Sequence, residues 1–550
     1  MTNAAAPEAE HAYRLGNAHY LAGRLEEAEA MYRRALVLEP ALAKAFSNLG
    51  TAEAGRERLD RAASALRRAL CVDPSLLDTR LNMGIILNKI VGQRSGQAML
   101  GRRAPEASQV RRQYESLPFP PRDPEAERYC LKVSNPDILA KINQYCFAGS
   151  RDFSQPFRVL AAGCGTGDSV IWLGHQLQGT PAEIVAIDLS EASLAVAAER
   201  AQRRGLGNIR WVHGSLLDIA RLGVGKFDYI TCLGVLHHLP DSVAGLQALE
   251  SVLAPGGAMA VMVYGAVGRS HIYNMQSLLR SVTRGLDQPA DKLAFARQIV
   301  ANLPPHNDFR QREGAETIAA AYLADDTNFW DTLLHDQDRA YTVSQFRDYL
   351  ASAGLHVQGF ISYAGNAATT ALQYDLEFLV GGGPAIGARL RSLSLAERED
   401  AAELLDGSLA LHTVYASRSP NAGLDPTAPD AILSPMSELA RNIIDHVKAA
   451  DEGCAIVLRN GSTLTYRPSQ ATRDFLSLID GSRDNAEIAR HLGIDFQSAR
   501  MEAIRADLRI PADLHWLTAR RAQGTALPPL PDRGHLSFPL PHSEPSVLPR

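Results

Sequence analysis

The stretch from Arg158 to Ser169, Arg-Val-Leu-Ala-Ala-Gly-Cys-Gly-Thr-Gly-Asp-Ser, constrains the fold of this chain more than any other. Its first five residues form a mostly apolar run that is typical of a buried parallel strand. Three glycines follow, and glycine allows a tight turn in which a ligand touches bare backbone. Asp168 or Ser169 is then expected to cap a helix. This order indicates a nucleotide-type ligand site at the carboxyl end of a sheet, with an ordinary turn as the alternative.

Four further strand-like runs follow this stretch. The first of them, Glu183 to Asp188, is apolar and ends in a carboxylate. Its spacing from the glycines is that of an acid which accepts hydrogen bonds from both hydroxyls of a ribose. The other three runs cover 209–213, 227–232 and 259–264. The last of them follows the turn Leu-Ala-Pro-Gly-Gly at 253–257.

The series of elements resembles the class I S-adenosylmethionine-dependent methyltransferases. Their glycine-rich loop, acidic second strand, Phe-Asp fourth strand and Leu-x-Pro-Gly-Gly turn all occur here in order. The resemblance implies a Rossmann-like α/β core over 128–418, with S-adenosyl-L-methionine as the methyl donor.

The resemblance also places the donor at the carboxyl ends of the strands. Its amino-acid end is expected near the glycine loop and the end of the fourth strand, its ribose at Asp188, and its adenine in an apolar slot with one polar edge. The expected donor-binding residues are Gly163, Cys164, Gly165, Gly167, Asp188, Leu189, Gly214, Ser215, Leu216, Leu233 and Gly234. Cys164 is interpreted as a packing residue rather than a nucleophile. Asp228, at the opposite end of its strand, is expected to serve the structure.

Candidates for contact with the methyl acceptor are few. Methyl transfer from a sulfonium depends chiefly on positioning and on exclusion of water, so a dedicated catalytic residue is not required. Tyr264 ends the fifth strand at the ligand edge, and His237 and His238 follow the fourth strand. At most one of the two histidines is expected to face the pocket. The run Leu-His-Asp at 334–336 is a weaker candidate.

An aromatic and proline-rich segment at 111–121 precedes the core. Proline freezes extended backbone, which suits a strap over a pocket. The segment resembles one that precedes the core in bacterial methyltransferases with tetratricopeptide repeats. That resemblance implies that Tyr114 and Glu115 close over the donor, with Tyr114 as a third catalytic candidate. A linker that only pins two domains together is the alternative.

Residues 10–96 contain a repeat of 34 residues. Gly16, Gly50 and Gly84 are each separated by 34 positions, as are the pairs Ala28 and Ala62, Ala35 and Ala69, and Pro40 and Pro74. This period is the tetratricopeptide signature, and it predicts two helical hairpins and the first helix of a third. Such repeats offer a groove to a peptide or stack against a neighbour, so we expect either a protein acceptor or docking and homodimer formation.

The regions after the fifth strand predict an insertion, closing elements and a further module. The insertion at 266–338 is expected to be mostly helical and to form a substrate lid. Runs at 342–353, 355–362, 372–380, 392–405 and 409–417 predict a helix, two closing strands, a helix and a further strand-like run. Proline and small residues at 421–435 predict a linker. A hairpin with an Asn-Gly turn and three helices at 431–521 then resemble winged-helix regulatory modules of some bacterial protein lysine methyltransferases.

The predicted organisation is therefore multidomain. It comprises an α-helical repeat solenoid at 10–96, a linker and strap at 97–127, the Rossmann-like α/β core at 128–418, a small winged-helix-like α+β module at 431–521, and a disordered proline-rich tail at 522–550. A length of 550 residues suits several domains.

Composition excludes several classes of partner. A net charge of −5, with 12 basic and 12 acidic residues between positions 431 and 521, disfavours a nucleic-acid partner. No run approaches the roughly 20 apolar residues of a membrane span, and Met1 to Glu10 lacks the features of a signal peptide. The six cysteines show no metal-ligand spacing, which predicts no metal site. A cytoplasmic location is therefore expected.

The leading functional hypothesis is a methyltransferase that modifies a protein side chain such as lysine, recruited by the repeats and the C-terminal module. A small-molecule methyltransferase of secondary metabolism is the main alternative, because only the flanking modules indicate a protein. A nicotinamide-dependent oxidoreductase is disfavoured by the combination of glycine loop and Pro-Gly-Gly turn. A catalytically idle interaction protein that retains donor binding is the remaining class.

Overall fold

The structure is a computed structural model. It describes residues 5–99, 115, 118–335, 338–361, 370–380, 384–420, 422–436, 438–449, 453–457, 463–513, 517–521 and 536–537. Among these residues, none of the helices has the length and apolar character needed to cross a membrane.

Five helices form the repeat region, as the 34-residue period predicts. They are Ala5–Leu21, Leu25–Leu38, Ala43–Gly55, Leu59–Val72 and Leu77–Met99. The recurring alanines at positions 28, 35, 62 and 69 are fully buried between paired helices. At Gly50 a Cβ atom would lie 2.7 Å from Leu66 Cγ, so the glycine lets these helices approach closely. The predicted two hairpins and one further helix are confirmed.

The last repeat helix packs against the segment that leads into the core. Met83, Ile86, Leu87 and Ile90 share one apolar cluster with Ala126 of that segment. Asp123 N donates a hydrogen bond to Asn88 Oδ1 at 2.9 Å. The repeats are therefore docked on the chain that follows them through both apolar and polar contacts.

We expect Gly84→Ala to destabilise the protein by about 1–3 kcal/mol, because an added Cβ would overlap Cys130 Sγ in a packed interface. Gly207→Ala is the matched control, since a Cβ atom there meets nothing within 4 Å. Thermal unfolding of both variants would check this. Equal midpoints would contradict the close packing of the repeats on the core.

A mixed sheet of eight strands forms the core. Its strands are β2 (Arg158–Ala162), β3 (Glu183–Asp188), β4 (Ile209–His213), β5 (Phe227–Leu233), β6 (Leu253–Gly265), β7 (Ala340–Tyr341), β8 (His356–Phe360) and β9 (Leu411–Ser417), preceded in the chain by β1 (Leu131–Lys132). The order is β4-β3-β2-β5-β6-β9-β8, with β7 paired to β6. Strands β2 to β7 pair in parallel, whereas β9 is antiparallel to both of its neighbours.

Helices cover both faces of this sheet. Leu139 and Leu173 pack on one face, in a cluster with Val159 and Ile184. Leu246 and Phe346 pack on the other face. The α-helices around the sheet are Leu139–Cys146, Asp168–Gln176, Glu191–Arg203, Ser242–Ser251 and Val343–Ala351, with 3-10 turns at Pro124–Arg128, Asn135–Asp137, Leu216–Leu222 and Leu236–His238.

One predicted closing strand is wrong. The run at 372–380 is helical, as Thr370–Gln373 and Leu376–Val380, and Leu411–Ser417 occupies the place beside β6 instead. The run at 372–380 contains three Leu, one Gln and one Glu, which favour helix. The sequence of β9 contains Thr, Val and Tyr, which fit a sheet better.

The insertion between β6 and β7 is helical, as predicted. Its elements are Ser270–Val282, Pro289–Ala301, Asp308–Glu313, Ala315–Thr317, a π-helical turn at Ile318–Leu323, and Asp326–Leu333. They enclose a separate apolar core that includes Leu279, Phe309 and Phe329. The insertion therefore has a packed interior of its own.

The C-terminal part combines two small sheets with helices. Strand β10 (Ala431–Pro435) pairs antiparallel with β13 (Leu517–Arg521), and β11 (Cys454–Val457) pairs antiparallel with β12 (Thr463–Tyr466). The predicted linker at 421–435 thus ends in a strand. The helices from 384 onward are Pro384–Arg391, Leu395–Asp406, Glu438–Ala449, Gln470–Ser477, Asn485–His491 and Ala499–Asp513.

Two predictions for this region lie largely outside the described residues. The Asn-Gly turn of the hairpin is one of them. The predicted tail at 522–550 is the other, apart from β14 (Leu536–Ser537), which pairs in parallel with β1.

A fully buried lysine gives the fold a pH dependence. Burial lowers the pKa of Lys141 to about 7 from its ordinary 10.5, and Lys141 Nζ donates to Asn135 Oδ1 at 2.6 Å. Between these two pH values only the unfolded state holds the proton, so the free energy of unfolding rises with pH. The free energy of unfolding rises by about 1.4 kcal/mol per pH unit over this range. Below about pH 7 this pH dependence is absent, because the lysine is protonated in both states.

We therefore expect Lys141→Met to flatten the increase in unfolding free energy between pH 7 and 10. Urea titrations at several pH values would check this, with exposed Lys226→Met as the control. A slope that is the same in Lys141→Met and in the unsubstituted protein would show that Lys141 is not neutral in the fold.

Candidate active site

The glycine loop connects β2 to the helix Asp168–Gln176. Gly163 N and Cys164 N donate to Ile187 O of β3, at 2.8 and 3.0 Å, which anchors the loop to the neighbouring strand. A Cβ atom at Gly163 would lie 2.5 Å from Val235 Cγ2, so only glycine fits there. Gly167, with φ of 97°, precedes the helix and no side chain caps it. The expected cap from Asp168 or Ser169 is therefore wrong, because the left-handed glycine starts the helix.

Asp188 stands where β3 ends, next to this loop. Its Oδ2 accepts a hydrogen bond from Gly165 N at 2.7 Å, and its Oδ1 accepts one from Ser190 N at 2.9 Å. Burial raises the pKa of Asp188, and the backbone donors lower it in part. Each oxygen keeps acceptor capacity. Bare glycine backbone beside a buried carboxylate thus fits the nucleoside and amino-acid parts of a methyl donor.

The other expected donor residues lie at the same edge of the sheet. Gly214 N donates to Asp188 O at 3.0 Å, and Gly234 follows β5 with φ of 78°. Leu189 O lies 3.1 Å from His213 Nε2. Leu216 is buried in the main core. The structure thus brings together the ends of β2, β3, β4 and β5.

Three residues that the sequence analysis singled out make structural contacts. Ser215 Oγ caps the turn that follows it, accepting from Leu217 N at 3.2 Å. Burial and nearby Asp188 raise the pKa of Cys164 well above its ordinary value, which agrees with a packing role. Asp228 Oδ2 accepts from Arg158 N at 2.8 Å at the far end of the sheet, which agrees with its expected structural role.

A cluster of aromatic rings, here called the ring cluster, lies past the ends of β5 and β6. It consists of His237, His238, Tyr264 and His335. The His237 ring centroid is 4.0 Å from that of Tyr264, and those of His238 and His335 are 4.1 Å apart. His238 also meets Tyr264 edge-on at 5.5 Å. Both adjacent histidines contribute to this cluster, because they lie in a 3-10 turn rather than an alternating strand, and the expectation that at most one of them faces the acceptor stays a prediction.

Charged groups of the insertion surround the ring cluster. Arg269 Cζ lies 3.7 Å above the ring centroid of Tyr264, and Arg269 Nη2 is 4.0 Å from Asp338 Oδ2. Asp338 accepts hydrogen bonds from Tyr273 OH and Gln276 Nε2, both at 3.0 Å. The guanidinium and its carboxylate therefore lie directly beside the ring cluster.

Two residues of the ring cluster, His237 and Tyr264, are held in neutral forms. Burial lowers the pKa of His237 well below its ordinary value, and His238, Arg269 and His335 lower it further. Burial raises the pKa of Tyr264 well above its ordinary value, and Asp331 adds to this. Near neutral pH, His237 is therefore a neutral imidazole and Tyr264 a neutral phenol.

Several polar atoms here have no hydrogen-bond partner although they are buried. They are Nδ1 and Nε2 of His237, Nε and Nη2 of Arg269, and Oε1 of Gln276. Buried polar groups are normally hydrogen-bonded, so these atoms have capacity for a bound water or a ligand. In the described part of the chain, no three His, Cys, Asp or Glu side chains are arranged to hold a metal ion.

The remaining predicted residues are placed differently. Tyr114 and Asp336 lie outside the described residues. Glu115 is exposed, and Leu334 is buried in the core of the insertion.

Sequence reasoning missed Arg269, Asp331 and Asp338. They come from an insertion without a motif, and one signal was available. Arg269 follows shortly after Tyr264, the end of a strand at the ligand edge.

This strand order, with one antiparallel strand beside β6, and the glycine loop bonded to Asp188 define a class I S-adenosylmethionine-dependent methyltransferase. A family model described as Methyltransferase domain matches residues 160–259, and one described as Tetratricopeptide repeat matches residues 12–42. The chain is 36% identical over 404 residues to Uncharacterized protein syc1184_c of Synechococcus sp., which covers 71% of this chain and 89% of that protein. The chain belongs to the same family as that protein.

Two other similarities cover parts of the chain. Ubiquinone biosynthesis O-methyltransferase of Psychrobacter cryohalolentis is 29% identical over 162 residues, which are 26% of this chain and 62% of that protein. Among solved structures, PKMT2 from Rickettsia typhi in complex with AdoHcy is 16% identical with a TM-score of 0.48, over 71% of this chain and 76% of that one.

Proposed function

We propose that this methyltransferase modifies a nitrogen of a protein side chain, such as that of lysine, and that the repeats help to recruit the protein. The observation that carries the proposal is the position of the insertion helix Asp326–Leu333. This helix contacts the last repeat helix, Leu77–Met99, and it also carries Asp331, whose charge acts on Tyr264. A protein bound at the repeats would therefore lie next to the insertion helix that borders the proposed acceptor site.

The chemistry of the pocket favours an amine. Two carboxylates, Asp331 and Asp338, outnumber the single guanidinium of Arg269, so the pocket suits an amine better than an anion. Oε1 of Gln276 and one ring nitrogen of neutral His237 are available to accept hydrogen bonds from N–H groups. The donors of Arg269 suit a carbonyl oxygen of the acceptor chain.

His237 and Tyr264 are proposed to position the acceptor rather than to remove its proton. The donor supplies a methyl group on a positively charged sulfur. By accepting a hydrogen bond from an amine N–H, a ring nitrogen of His237 directs the lone pair of the amine. The low pKa of His237 makes it a weak base, and the packed rings exclude water from the reaction.

The donor site is proposed to follow the predicted residues. Asp188 would hold the ribose hydroxyls, and the loop around Gly163 and Gly165 would face the amino-acid end. The adenine would lie between Leu189 and the turn at 214–216. A cytoplasmic location, a homodimer and a regulatory role for residues 431–521 stay predictions.

Transfer of labelled methyl into a lysate of the source organism, with size separation of the products, tests the acceptor class. We expect label in a discrete protein band, and acid hydrolysis of that band should yield methylated lysine. Label only in the small-molecule fraction would contradict a protein acceptor and favour the small-molecule alternative. A His237→Ala preparation serves as the control, because its label should fall while its donor binding persists.

A further inference from the structure

The outer side of the glycine loop is held by the segment that follows the repeats. Thr166 is fully buried; its backbone N donates to Phe119 O at 3.2 Å and its Oγ1 donates to Pro120 O at 2.6 Å. A Cβ atom at Gly165 would lie 2.5 Å from Phe119 O. The loop therefore shifts only if residues 119–120 shift with it.

Three cations converge on Asp168, the first residue of the helix after the loop. Arg122 binds it through two nitrogens at 2.9 and 2.7 Å, Lys132 Nζ lies at 3.2 Å, and Arg200 Nη1 lies at 3.0 Å. Burial alone raises the pKa of Asp168, but the cations lower it by more, to well below its ordinary value. Arg122 is bidentate to this carboxylate, so the pair fixes the orientation of the Asp168 side chain as well as balancing its charge.

Arg200 links the loop to the same segment from inside. It is 1% exposed, and Nη1 donates to Thr166 O at 2.6 Å while Nε donates to Glu127 Oε1 at 2.8 Å. Glu127 also pairs with Arg204. A buried guanidinium with such partners is costly to displace, because removal of one leaves the others uncompensated.

The segment that makes these contacts rests on the repeats. Its residues 123–130 contact the last repeat helix at three places. Asp123 N donates to Asn88, Ala126 packs in the shared apolar cluster, and Cys130 lies close to Gly84. A continuous set of contacts thus connects the last repeat helix to the loop that receives the donor.

We propose that Arg122, Asp168 and Arg200 are positioning residues for the donor loop, and that the docked repeats set their position. The repeats are then a structural part of the donor site as well as a recruitment surface. Displacement of the last repeat helix lowers the affinity for the donor, and donor binding favours the docked arrangement by the same factor. This inference needs only donor binding, and it stands or falls independently of the acceptor.

The positioning role is tested on the full-length protein by calorimetric titration with S-adenosylhomocysteine. We expect Arg122→Gln to raise the dissociation constant about tenfold, within the usual range of coupling between sites. Arg122→Lys, which keeps the charge, should recover part of the affinity. The KM for the donor should rise with little change in kcat at saturating donor. Arg483→Gln is the control, because Arg483 pairs with Asp480 in the C-terminal part, away from both the loop and residues 119–130.

The contribution of the repeats is tested with two glycines of the repeat region. Gly84→Ala disturbs the docking surface, whereas Gly16→Ala disturbs packing against Tyr32 in the first hairpin, in a cluster separate from that surface. Both should lower the unfolding midpoint, and only Gly84→Ala should raise the dissociation constant, by about fivefold. Measurements well below both midpoints separate this effect from unfolding. An unchanged constant in Arg122→Gln or in Gly84→Ala would overturn the proposal, as would an equal rise in Gly16→Ala.

Discussion

Asp188→Ala is expected to weaken binding of S-adenosylmethionine by about 1–3 kcal/mol, the range for loss of one partner among buried polar groups. The carboxylate has two tasks. It is proposed to accept the ribose hydroxyls, and it holds Gly165 N and Ser190 N. Its removal therefore leaves both backbone N–H groups, and also the ribose hydroxyls, without their hydrogen-bond acceptor.

Titration calorimetry of the variant would measure this loss. Asp228→Ala is a suitable control, because Asp228 also accepts a backbone N–H but lies at the opposite end of the sheet. Asp188→Asn keeps one acceptor oxygen and should fall between the two. An unchanged affinity in Asp188→Ala would mean that the ribose does not bind there.

His237→Ala is expected to lower the rate of methyl transfer about 100-fold, the size of effect that follows from misplacing a bound reactant. The side chain is 1% exposed and its ring lies tilted against that of Tyr264, so its loss removes both a hydrogen-bond acceptor and a packing partner of Tyr264. Donor affinity should be unchanged, because the described contacts of the loop at Gly163 to Gly165, with Ile187, Asp188 and Val235, do not involve His237.

Single-turnover transfer with the labelled protein acceptor would measure the rate. The matched control is His356→Ala, since His356 is exposed at the start of β8. His237→Asn should restore part of the rate through its amide oxygen. A rate in His237→Ala equal to that of the control would exclude His237 from acceptor positioning.

Sequence alone predicted where the glycine loop and Asp188 lie in the fold. The glycine loop and Asp188 are local features, because each is fixed by the end of one strand and the turn that follows it. The placement of Asp228 away from the ligand edge was predicted for the same reason. Once the strands were recognised, the strand order of the fold predicted that the glycine loop and Asp188 lie close together.

The charged neighbours of the ring cluster and the supports of the glycine loop were not predictable in this way. Arg269 and Asp338 are separated by most of the insertion and meet only after it folds. Arg122 and Arg200 come from different elements and converge on Asp168. In the sequence, the buried Arg200 cannot be distinguished from an arginine on the solvent-exposed face of a helix. Such contacts depend on tertiary packing, which no local pattern encodes.

The pairing of β6 with β9 has a consequence for synthesis of the chain. Met259 and Val261 of β6 are fully buried, and their strand lies beside Val414 and Ala416 of β9. The ribosome releases β6 long before β9, so a nascent chain displays an apolar, unpaired strand edge while the insertion is being made. Open edges of this kind invite pairing with other chains. The growing polypeptide is therefore most prone to aggregation until Ser417 has emerged, and arrest there should increase capture by chaperones.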